Sequence, residues 1–254
     1  MSDRVAVSLA DGVLTGTLNR PDKRNAIDVA MIDGLHALLD RAELDAEARV
    51  VTLRGAGKDF CAGMDLADLL ASGDHSIEEN REAAWHFGGL FVRLRALPKP
   101  AVAVVQGRAL AGGCGLATAC DLVLAAESAQ FGYPEVQRGF VPALVMNMLR
   151  RAVGEKVAFD LAATGRLLAA REAEHVGLVS RVFADTEFEE RVREALASLV
   201  RISATALALT KQQLYRLDGV GFEDGMRLSA DVNAMSRTTP DFRTAIAAFL
   251  EKGR

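Results

Sequence analysis

The sequence contains only three cysteines in 254 residues, Cys61, Cys114 and Cys120. Their odd number and unpaired spacing argue against a disulfide framework. Each cysteine stands among small or apolar residues, which is typical of a buried thiol. We therefore expect three free, buried thiols in a protein of a reducing compartment.

The sequence also has no apolar run long enough to cross a bilayer, and no apolar signal core follows its charged N-terminal residues. It has no excess of positive charge, since 30 Lys and Arg residues stand against 34 Asp and Glu residues, a formal net charge of -4. This balance argues against nucleic-acid binding as the main function. We expect a cytoplasmic protein that binds neither nucleic acid nor membrane.

Common site motifs are missing as well. The four histidines have no metal-ligand spacing, so we expect no metal site. There is no G-x-S-x-G nucleophile elbow, and no glycine-rich loop ends in the Lys-Ser/Thr pair that binds phosphate. What is present is an ordinary globular composition, 50% hydrophobic and 25% charged. Such a chain can bury a core without disulfides or metals.

The order of apolar runs and turns predicts alternating strands and helices. Residues 5–8 and 13–18 flank an Asp-Gly turn and predict an opening hairpin. Residues 50–53 and 101–105 are compact apolar runs typical of buried strands. Helical patterns come between the strands, which indicates an α/β fold with crossover connections.

Two predicted helices come with predicted burial. Asp28 is suited to cap a helix whose apolar face begins at Val29 and continues with Ile32 and Leu35. A later, longer helix carries Trp85, and we expect this ring and the phenylalanines near it to lie in the core.

Helical patterns dominate after Pro142. The stretch from about Ser203 to Arg254 is almost wholly helical by pattern, with Pro240 as a break that begins a new helix. We predict that residues 1–200 form a core that carries the functional site. Residues 201–254 are predicted to form a helical region that needs another surface to pack on.

The segment Ala111 to Gly115 follows a strand, begins a helix and holds three glycines. These glycines are compatible with close packing, with a nucleotide site whose spacing fits poorly, or with an anion site at a helix N-terminus. A second glycine-bearing helix start, at residues 61–65, also follows a buried strand. Two backbone N–H groups from separate loops suit the oxyanion of a thioester enolate, and this pairing favours the anion site.

Five sequence blocks occur in an order that resembles the signature of the enoyl-CoA hydratase/isomerase (crotonase) superfamily. They are Asn19-Arg20-Pro21 with Asn25-Ala26, Phe60-Cys61-Ala62-Gly63-Met64-Asp65-Leu66, Gly107 with Ala111-Gly112-Gly113-Cys114-Gly115-Leu116 and Cys120-Asp121, Phe131-Gly132-Tyr133-Pro134-Glu135, and Ala163-Thr164-Gly165-Arg166 with Gly177-Leu178-Val179. The resemblance covers nearly the whole chain. It implies an α/β fold, a crotonase-like spiral of repeated ββα units with a C-terminal helical trimerisation region, assembled as a homotrimer or a dimer of trimers.

The resemblance also implies roles for individual residues. Met64 and Gly112 would supply the two oxyanion-hole N–H groups, and Glu135 would be the catalytic acid/base. Coenzyme A is then part of an acyl-CoA thioester substrate, and no separate cofactor is expected. The residues implied to line its path are Lys23, Arg24, Ala26, Ala62, Met64, Asp65, Leu66, Ala67, Gly112, Gly115 and Pro134. Lys23 and Arg24 are suited to a phosphate, although a solvated loop is the alternative.

The sequence departs from the resemblance at one position. The well-known hydratases of this family carry two glutamates at the site, whereas this chain has Gly115 in place of the first and keeps only Glu135. Single-glutamate hydratases and hydratase-lyases of the family resemble this pattern too. Hydration divides naturally between two carboxylates, whereas moving a double bond needs one proton shuttle. We also expect Gly115 to leave a cavity that admits a branched acyl group. An enoyl-CoA hydratase of fatty acid metabolism is favoured; a 3,2-enoyl-CoA isomerase and a non-catalytic crotonase-fold scaffold are the alternatives.

Two further predictions concern helix ends. Asp65 is expected to cap a helix that begins at Leu66, and Asp121 is expected to be structural. At the C-terminus, the resemblance suggests that a cation contacts the CoA of a neighbouring subunit. Lys252 is the cation there, Phe249 is a second candidate to reach the same CoA, and a frayed terminus is the alternative.

Overall fold

The computed structural model describes residues 3–252, and the side chains of residues 3–251. Its strands are Val5–Ala10 (β1), Val13–Leu18 (β2), Val50–Gly55 (β3), Ala101–Val105 (β4), Arg108–Leu110 (β5), Leu122–Ala126 (β6), Gln130–Gly132 (β7), Leu167–Ala169 (β8) and Arg181–Phe183 (β9). Its helices are Val29–Leu44 (α1), Leu66–Ala71 (α2), Ile77–Ala96 (α3), Gly112–Ala119 (α4), Ala143–Thr164 (α5), Ala170–His175 (α6), Phe188–Val200 (α7), Ala204–Arg216 (α8), Phe222–Thr238 (α9) and Pro240–Lys252 (α10). Short 3₁₀ helices span Pro21–Lys23, Ser72–Asp74 and Pro134–Arg138.

The strands form two sheets. The larger has the order β1-β2-β3-β4-β6-β9, and the smaller has the order β5-β7-β8. β1 and β2 form the predicted antiparallel hairpin, and every later neighbour in the larger sheet is parallel, joined by crossovers that contain helices. The predicted strands at residues 50–53 and 101–105 are also confirmed. The helical pattern after Pro142 missed β8 and β9, because three residues are too few to show a strand period.

The main core lies between the larger sheet and helices α1, α3 and α4. Asp28 caps α1 as predicted, since its Oδ1 accepts a hydrogen bond from the Met31 N–H at 2.8 Å. Ile32 and Leu35 are buried in the core as predicted. The prediction for Val29 was wrong: this side chain is 62% exposed, because it lies in the first turn, before the buried stretch that starts at Met31.

The prediction for Trp85 was wrong as well. Its side chain is 66% exposed, whereas Phe87 and Phe91 are buried. Successive residues of an α-helix are about 100° apart, so residues 85 and 87 point to nearly opposite sides of α3. Phe87 and Phe91, four residues apart, share the face that meets the core. Their rings contact each other edge to face, with 4.8 Å between the ring centroids.

The three cysteines are free and buried, as predicted. Removal from water raises the pKa of Cys61 and of Cys114 to about 12, and it raises the pKa of Cys120 as well. All three are therefore neutral thiols that serve as small packing groups. Within residues 3–252, no helix is both long enough and apolar enough to span a membrane.

The C-terminal helices are successively less buried. Phe188 and Val192 of α7 pack with Val102 and Leu124 of the larger sheet. Helix α8 lies against α3, α9 against α8, and α10 against α9. Every residue from 240 to 251 is exposed. The division of the chain into residues 1–200 and 201–254 stays a prediction.

Candidate active site

The two glycine-bearing helix starts lie side by side. Strand β5 runs along the loop that leads to α2, with the Leu110 N–H donating to the Cys61 oxygen at 2.9 Å. A β-carbon added to Gly63 would lie 3.4 Å from the Gly112 nitrogen, and one added to Gly112 would lie 3.8 Å from Met64 Cγ. The fold therefore brings Met64 and Gly112 together from two separate loops.

The N–H groups of these two residues are free to bind a ligand. Within residues 3–252, neither the Met64 nor the Gly112 N–H donates a hydrogen bond to the protein, although the neighbouring N–H groups do. Asp65 donates to the Ile27 oxygen at 2.9 Å, and Ala111 donates to the Gly132 oxygen at 2.8 Å. Gly112 is the first residue of α4, where helix geometry leaves the N–H without an acceptor.

The residue before each donor has an unusual backbone conformation. Gly63 has a φ of 96°, and Ala111 has a φ of 50° with a ψ of -126°. The ψ of each residue fixes the direction of the N–H that follows, so these conformations set the directions of the Met64 and Gly112 N–H groups. A non-glycine residue at positive φ is strained, and such strain is characteristic of functional sites.

Glu135 lies in the 3₁₀ helix that follows β7. Its side chain is 9% exposed, and within the described part of the chain its buried Oε2 has no hydrogen-bond partner. Burial raises the pKa of this carboxyl, while the positive charge of Arg138 opposes the shift. A buried carboxylate oxygen without a partner is costly unless a ligand engages it. The arrangement can therefore take up and release a proton in a site shielded from water.

Glu135 is held next to α4 through Tyr133. Tyr133 is completely buried, and its hydroxyl lies 2.7 Å from Thr118 Oγ1 in the last turn of α4. Thr118 in turn donates to the Cys114 oxygen at 2.8 Å. The carboxylate and the Gly112 donor thus belong to two elements that are joined by hydrogen bonds.

The cavity expected at Gly115 is absent from the described structure. A β-carbon added to Gly115 would lie 2.3 Å from Val145 Cγ1 and 3.4 Å from Phe91 Cζ. Helix α5 packs across α4 and places Val145 in the space that a second glutamate would need. The prediction of open space at this position was therefore wrong.

The loops implied to bind CoA are tied to each other but largely open to solvent. Lys23 and Arg24 are exposed, and Arg24 Nε lies 4.0 Å from the Asp59 carboxylate. The Ala62 N–H donates to the Arg24 oxygen at 3.0 Å, and Ile27 forms a bridge with Met64. The remaining implied residues differ in burial: Ala26, Ala62, Asp65 and Pro134 are half-buried, and Leu66 and Ala67 are exposed.

Asp65 caps α2 as predicted. Its Oδ1 accepts a hydrogen bond from the Ala67 N–H at 3.0 Å. This bond and the guanidinium of Arg20 hold the pKa of Asp65 below its usual range. The carboxylate therefore stays ionised and fixes the start of the helix directly after Met64.

Two residues of the first sequence block have positioning contacts that the sequence did not assign. Arg20 lies 3.0 Å from Asp65 and 3.3 Å from Asp28, so it joins the starts of α1 and α2. Asn25 is buried, and its Nδ2 donates to the oxygens of Asp59 and Phe60. Their place in the first sequence block was a signal, but Asp65, Asp59 and Phe60 lie more than thirty residues away in the chain.

A cavity of about 610 Å³ lies elsewhere, between α3, α5 and α8. Phe91 lines this cavity and also contacts the Gly115 position. Met64, Gly112 and Glu135 are not among its lining residues. Within residues 3–252, no three His, Cys, Asp or Glu side chains are grouped so as to hold a metal ion, and the expectation of no metal stays a prediction.

Comparison with known proteins matches these features to one family. The family model described as enoyl-CoA hydratase/isomerase matches residues 9–254. The chain belongs to the enoyl-CoA hydratase/isomerase family. The resemblance recognised in the sequence is thereby confirmed.

Individual family members match over almost their whole length. A Thermus thermophilus protein, named provisionally as an enoyl-CoA hydratase, is 46% identical over 92% of this chain and 93% of its own length. The 2,3-dehydroadipyl-CoA hydratase of Escherichia coli is 34% identical, over 97% of this chain and 95% of its own. The crystal structure of enoyl-CoA hydratase from Mycobacterium smegmatis has a TM-score of 0.94 at 31% identity, covering 98% of this chain and 96% of that one. The predicted α/β crotonase-like fold with its C-terminal helical region is confirmed.

Proposed function

We propose that this member of the family is an enoyl-CoA hydratase, which reversibly adds water to a 2-enoyl-CoA thioester. The observation that carries the proposal is the buried Glu135 Oε2, which has no partner among the described residues, on an element that Tyr133 joins to the helix whose first N–H, at Gly112, is free together with that of Met64. Hydration of a conjugated thioester needs a base for water, an acid for the α-carbon and donors for the enolate oxygen.

The reaction can be written with Glu135 in both proton-transfer roles. The ionised carboxylate takes a proton from water while the hydroxyl adds to the β-carbon, and the carbonyl π electrons move to the oxygen. The Met64 and Gly112 N–H groups donate to that oxygen, and each such donor is worth on the order of 3 kcal/mol in the transition state. Protonated Glu135 then returns its proton to the α-carbon, which restores both the thioester and the carboxylate.

The relatives support this reaction and its substrate class. The Escherichia coli relative is named a hydratase of a CoA thioester, and it is similar to this chain over nearly its full length. Coenzyme A would then be part of the substrate, with no separate cofactor. The exposed side chains of Lys23 and Arg24 would meet its phosphates, and the residues from Ala62 to Ala67 would line its path.

The 3,2-enoyl-CoA isomerase is a second candidate, and the single carboxylate favours it. Glu135 alone could move a proton from the α-carbon to the γ-carbon while the same N–H groups hold the dienolate oxygen. Because Val145 fills the space beside Gly115, no second carboxylate can stand there unless the side chain of Val145 moves. A non-catalytic scaffold is disfavoured, since a buried carboxylate without a partner has a cost that substrate binding would offset.

We further propose a homotrimer or a dimer of trimers in the cytoplasm, serving fatty acid metabolism. Helix α10 supports the assembly: its apolar residues Phe242, Ile246, Phe249 and Leu250 follow helical spacing, and all are exposed. A stripe of this kind gains stability by packing on another subunit. Phe249 could then contact a neighbour's CoA; the side chain of Lys252, the other candidate, lies outside the described residues.

Purified protein can be offered 2-enoyl-CoA and 3-enoyl-CoA in separate assays. Hydration removes the absorbance of the conjugated thioester, whereas isomerisation creates it. We expect rapid loss with the 2-enoyl substrate and a smaller gain with the 3-enoyl substrate. A gain of absorbance with the 3-enoyl substrate, without a loss with the 2-enoyl substrate, would assign the chain as an isomerase. If neither change in absorbance occurs, both enzyme functions are refuted. Light scattering that gives a monomer would refute the trimer.

A further inference from the structure

Gly115 of α4 and Val145 of α5 fit so closely that residue 115 has no room for a side chain while Val145 stays in place. A β-carbon on Gly115 would approach Val145 Cγ1 to 2.3 Å, a separation that real β-carbons do not reach. Val145 is itself 3% exposed and belongs to the main core. The absence of a side chain at residue 115 is therefore matched by a side chain from another helix.

The pair lies on the same face of α4 as the Gly112 donor. Residues three apart on a helix share a face, and the rise of 1.5 Å per residue places them about 4.5 Å apart along the axis. Helix α3 follows the same face: added β-carbons on Gly112 and Gly115 would lie 3.2 Å from Phe87 and 3.4 Å from Phe91. Val145 thus closes an apolar surface that begins at the oxyanion donor.

That spacing points to the part of the substrate that meets Val145. If the Gly112 N–H holds the thioester oxygen, a position about 4.5 Å further along α4 is reached by a substituent on the β-carbon. At Gly115 that side of the α4 backbone is already covered, since an added β-carbon would lie 2.3 Å from Val145 Cγ1. A substituent there therefore meets Val145 Cγ1 and the ring of Phe91 before it reaches the helix backbone.

We propose that Val145 is the specificity-determining residue of this site, and that it restricts the enzyme to acyl groups unbranched at the β-carbon. This inference rests on the proposed function, because it takes the thioester oxygen to bind at Gly112. It reverses what Gly115 alone suggests, since a missing side chain at 115 gives no extra room while Val145 is present. A shorter side chain at residue 145 makes a branched chain fit, whereas the missing side chain at residue 115 does not.

The test compares a straight with a branched substrate. Wild type and Val145→Ala are assayed with 2-butenoyl-CoA and 3-methyl-2-butenoyl-CoA, and the ratio of the two kcat/KM values is taken. We expect the ratio to shift toward the branched substrate by about tenfold or more in Val145→Ala, the effect typical of one methyl group in an apolar pocket. Val157→Ala removes the same atoms at a half-buried position beyond the kink that α5 makes at Gly154, and it should leave the ratio unchanged.

A binding measurement separates this inference from the hydratase assignment. Calorimetric affinities for the saturated analogues butanoyl-CoA and 3-methylbutanoyl-CoA need no turnover. If wild type converts neither enoyl substrate, the hydratase function fails, while the change in affinity ratio still tests Val145. Val145→Cys, which removes one branch only, serves if Val145→Ala does not fold. An unchanged ratio in the folded Val145 variant, or an equal shift in Val157→Ala, would overturn the inference.

Discussion

Lys211 Nζ lies 2.7 Å from Asp121 Oδ2, and this largely buried ion pair joins helix α8 to the end of α4. The Asp121 carboxylate also accepts hydrogen bonds from the Ala101 N–H and the Tyr215 hydroxyl, each at 2.7 Å. Lys211 donates further to the oxygen of Leu94 at 2.7 Å. The structural role expected of Asp121 thus has a concrete form: it ties the C-terminal helices to the helix that carries the Gly112 donor.

Breaking this pair should destabilise the protein strongly. Lys211→Met leaves Asp121 with an uncompensated buried charge, and we expect the free energy of unfolding to fall by about 3 kcal/mol. Urea denaturation measures the loss. Lys156→Met, at an exposed position on α5, is the matched control and should change stability by less than about 0.5 kcal/mol. A Lys211→Met loss no larger than that of the control would contradict this role.

A second prediction concerns the strained backbone of Ala111. Ala→Gly in a helix normally lowers stability by about 1 kcal/mol. At Ala111, with φ at 50°, glycine removes a strain of about 1 kcal/mol or more, so we expect Ala111→Gly to leave the unfolding free energy unchanged or raised. Thermal and urea unfolding of the purified variant measure this.

Ala117→Gly is the control, since Ala117 is buried within α4, the helix that Ala111 directly precedes. We expect this change to lower the unfolding free energy by at least about 1 kcal/mol, through helix propensity and lost packing. Equal losses of unfolding free energy at both positions would mean that Ala111 is not strained. The direction of the Gly112 N–H would then be fixed without any cost in backbone strain.

The raised pKa of Glu135 predicts the acid limb of the pH profile. Hydration requires the ionised carboxylate, and kcat/KM reports the ionisation of the free enzyme. Because burial raises the pKa of Glu135, activity should be lost as pH falls through a midpoint above the ordinary glutamate value of 4.5. A profile of log kcat/KM against pH measures the midpoint. An acid limb at or below 4.5 would be inconsistent with a buried catalytic carboxylate.

The same burial predicts an effect on stability. A carboxyl whose pKa is raised in the folded state makes folding less favourable once it ionises. This cost is absent below the pKa of the unfolded chain and is complete above the pKa of the folded state. Glu135→Gln should therefore keep or raise the thermal midpoint at pH 7, and the gain should vanish at low pH. A lower midpoint for Glu135→Gln at pH 7 would show that the carboxylate stabilises the fold.

Sequence reasoning reached the elements of the site because they are local. The Asp28 and Asp65 caps, the opening hairpin and the glycine-bearing helix starts each depend on residues within a few positions of one another. The family resemblance then related these separate segments to one thioester site.

Sequence reasoning failed where contacts are distant. Gly115 alone indicated open space, but Val145 occupies that space because α5 packs across α4, which no local pattern reports. Trp85 is apolar by type yet exposed, because its helical position faces away from Phe87 and the core. The strands β8 and β9 exist through pairing with β7 and β6, since their own three residues carry too little signal.

The most direct test of the account is the hydration rate of Glu135→Gln with a 2-enoyl-CoA thioester. Glutamine keeps the size of the side chain but cannot accept a proton, so we expect kcat to fall by about 100-fold or more while acyl-CoA still binds. Glu82→Gln, an exposed glutamate on α3, should keep the wild-type rate. Full activity in Glu135→Gln would contradict the assignment of this carboxylate as the catalytic acid/base.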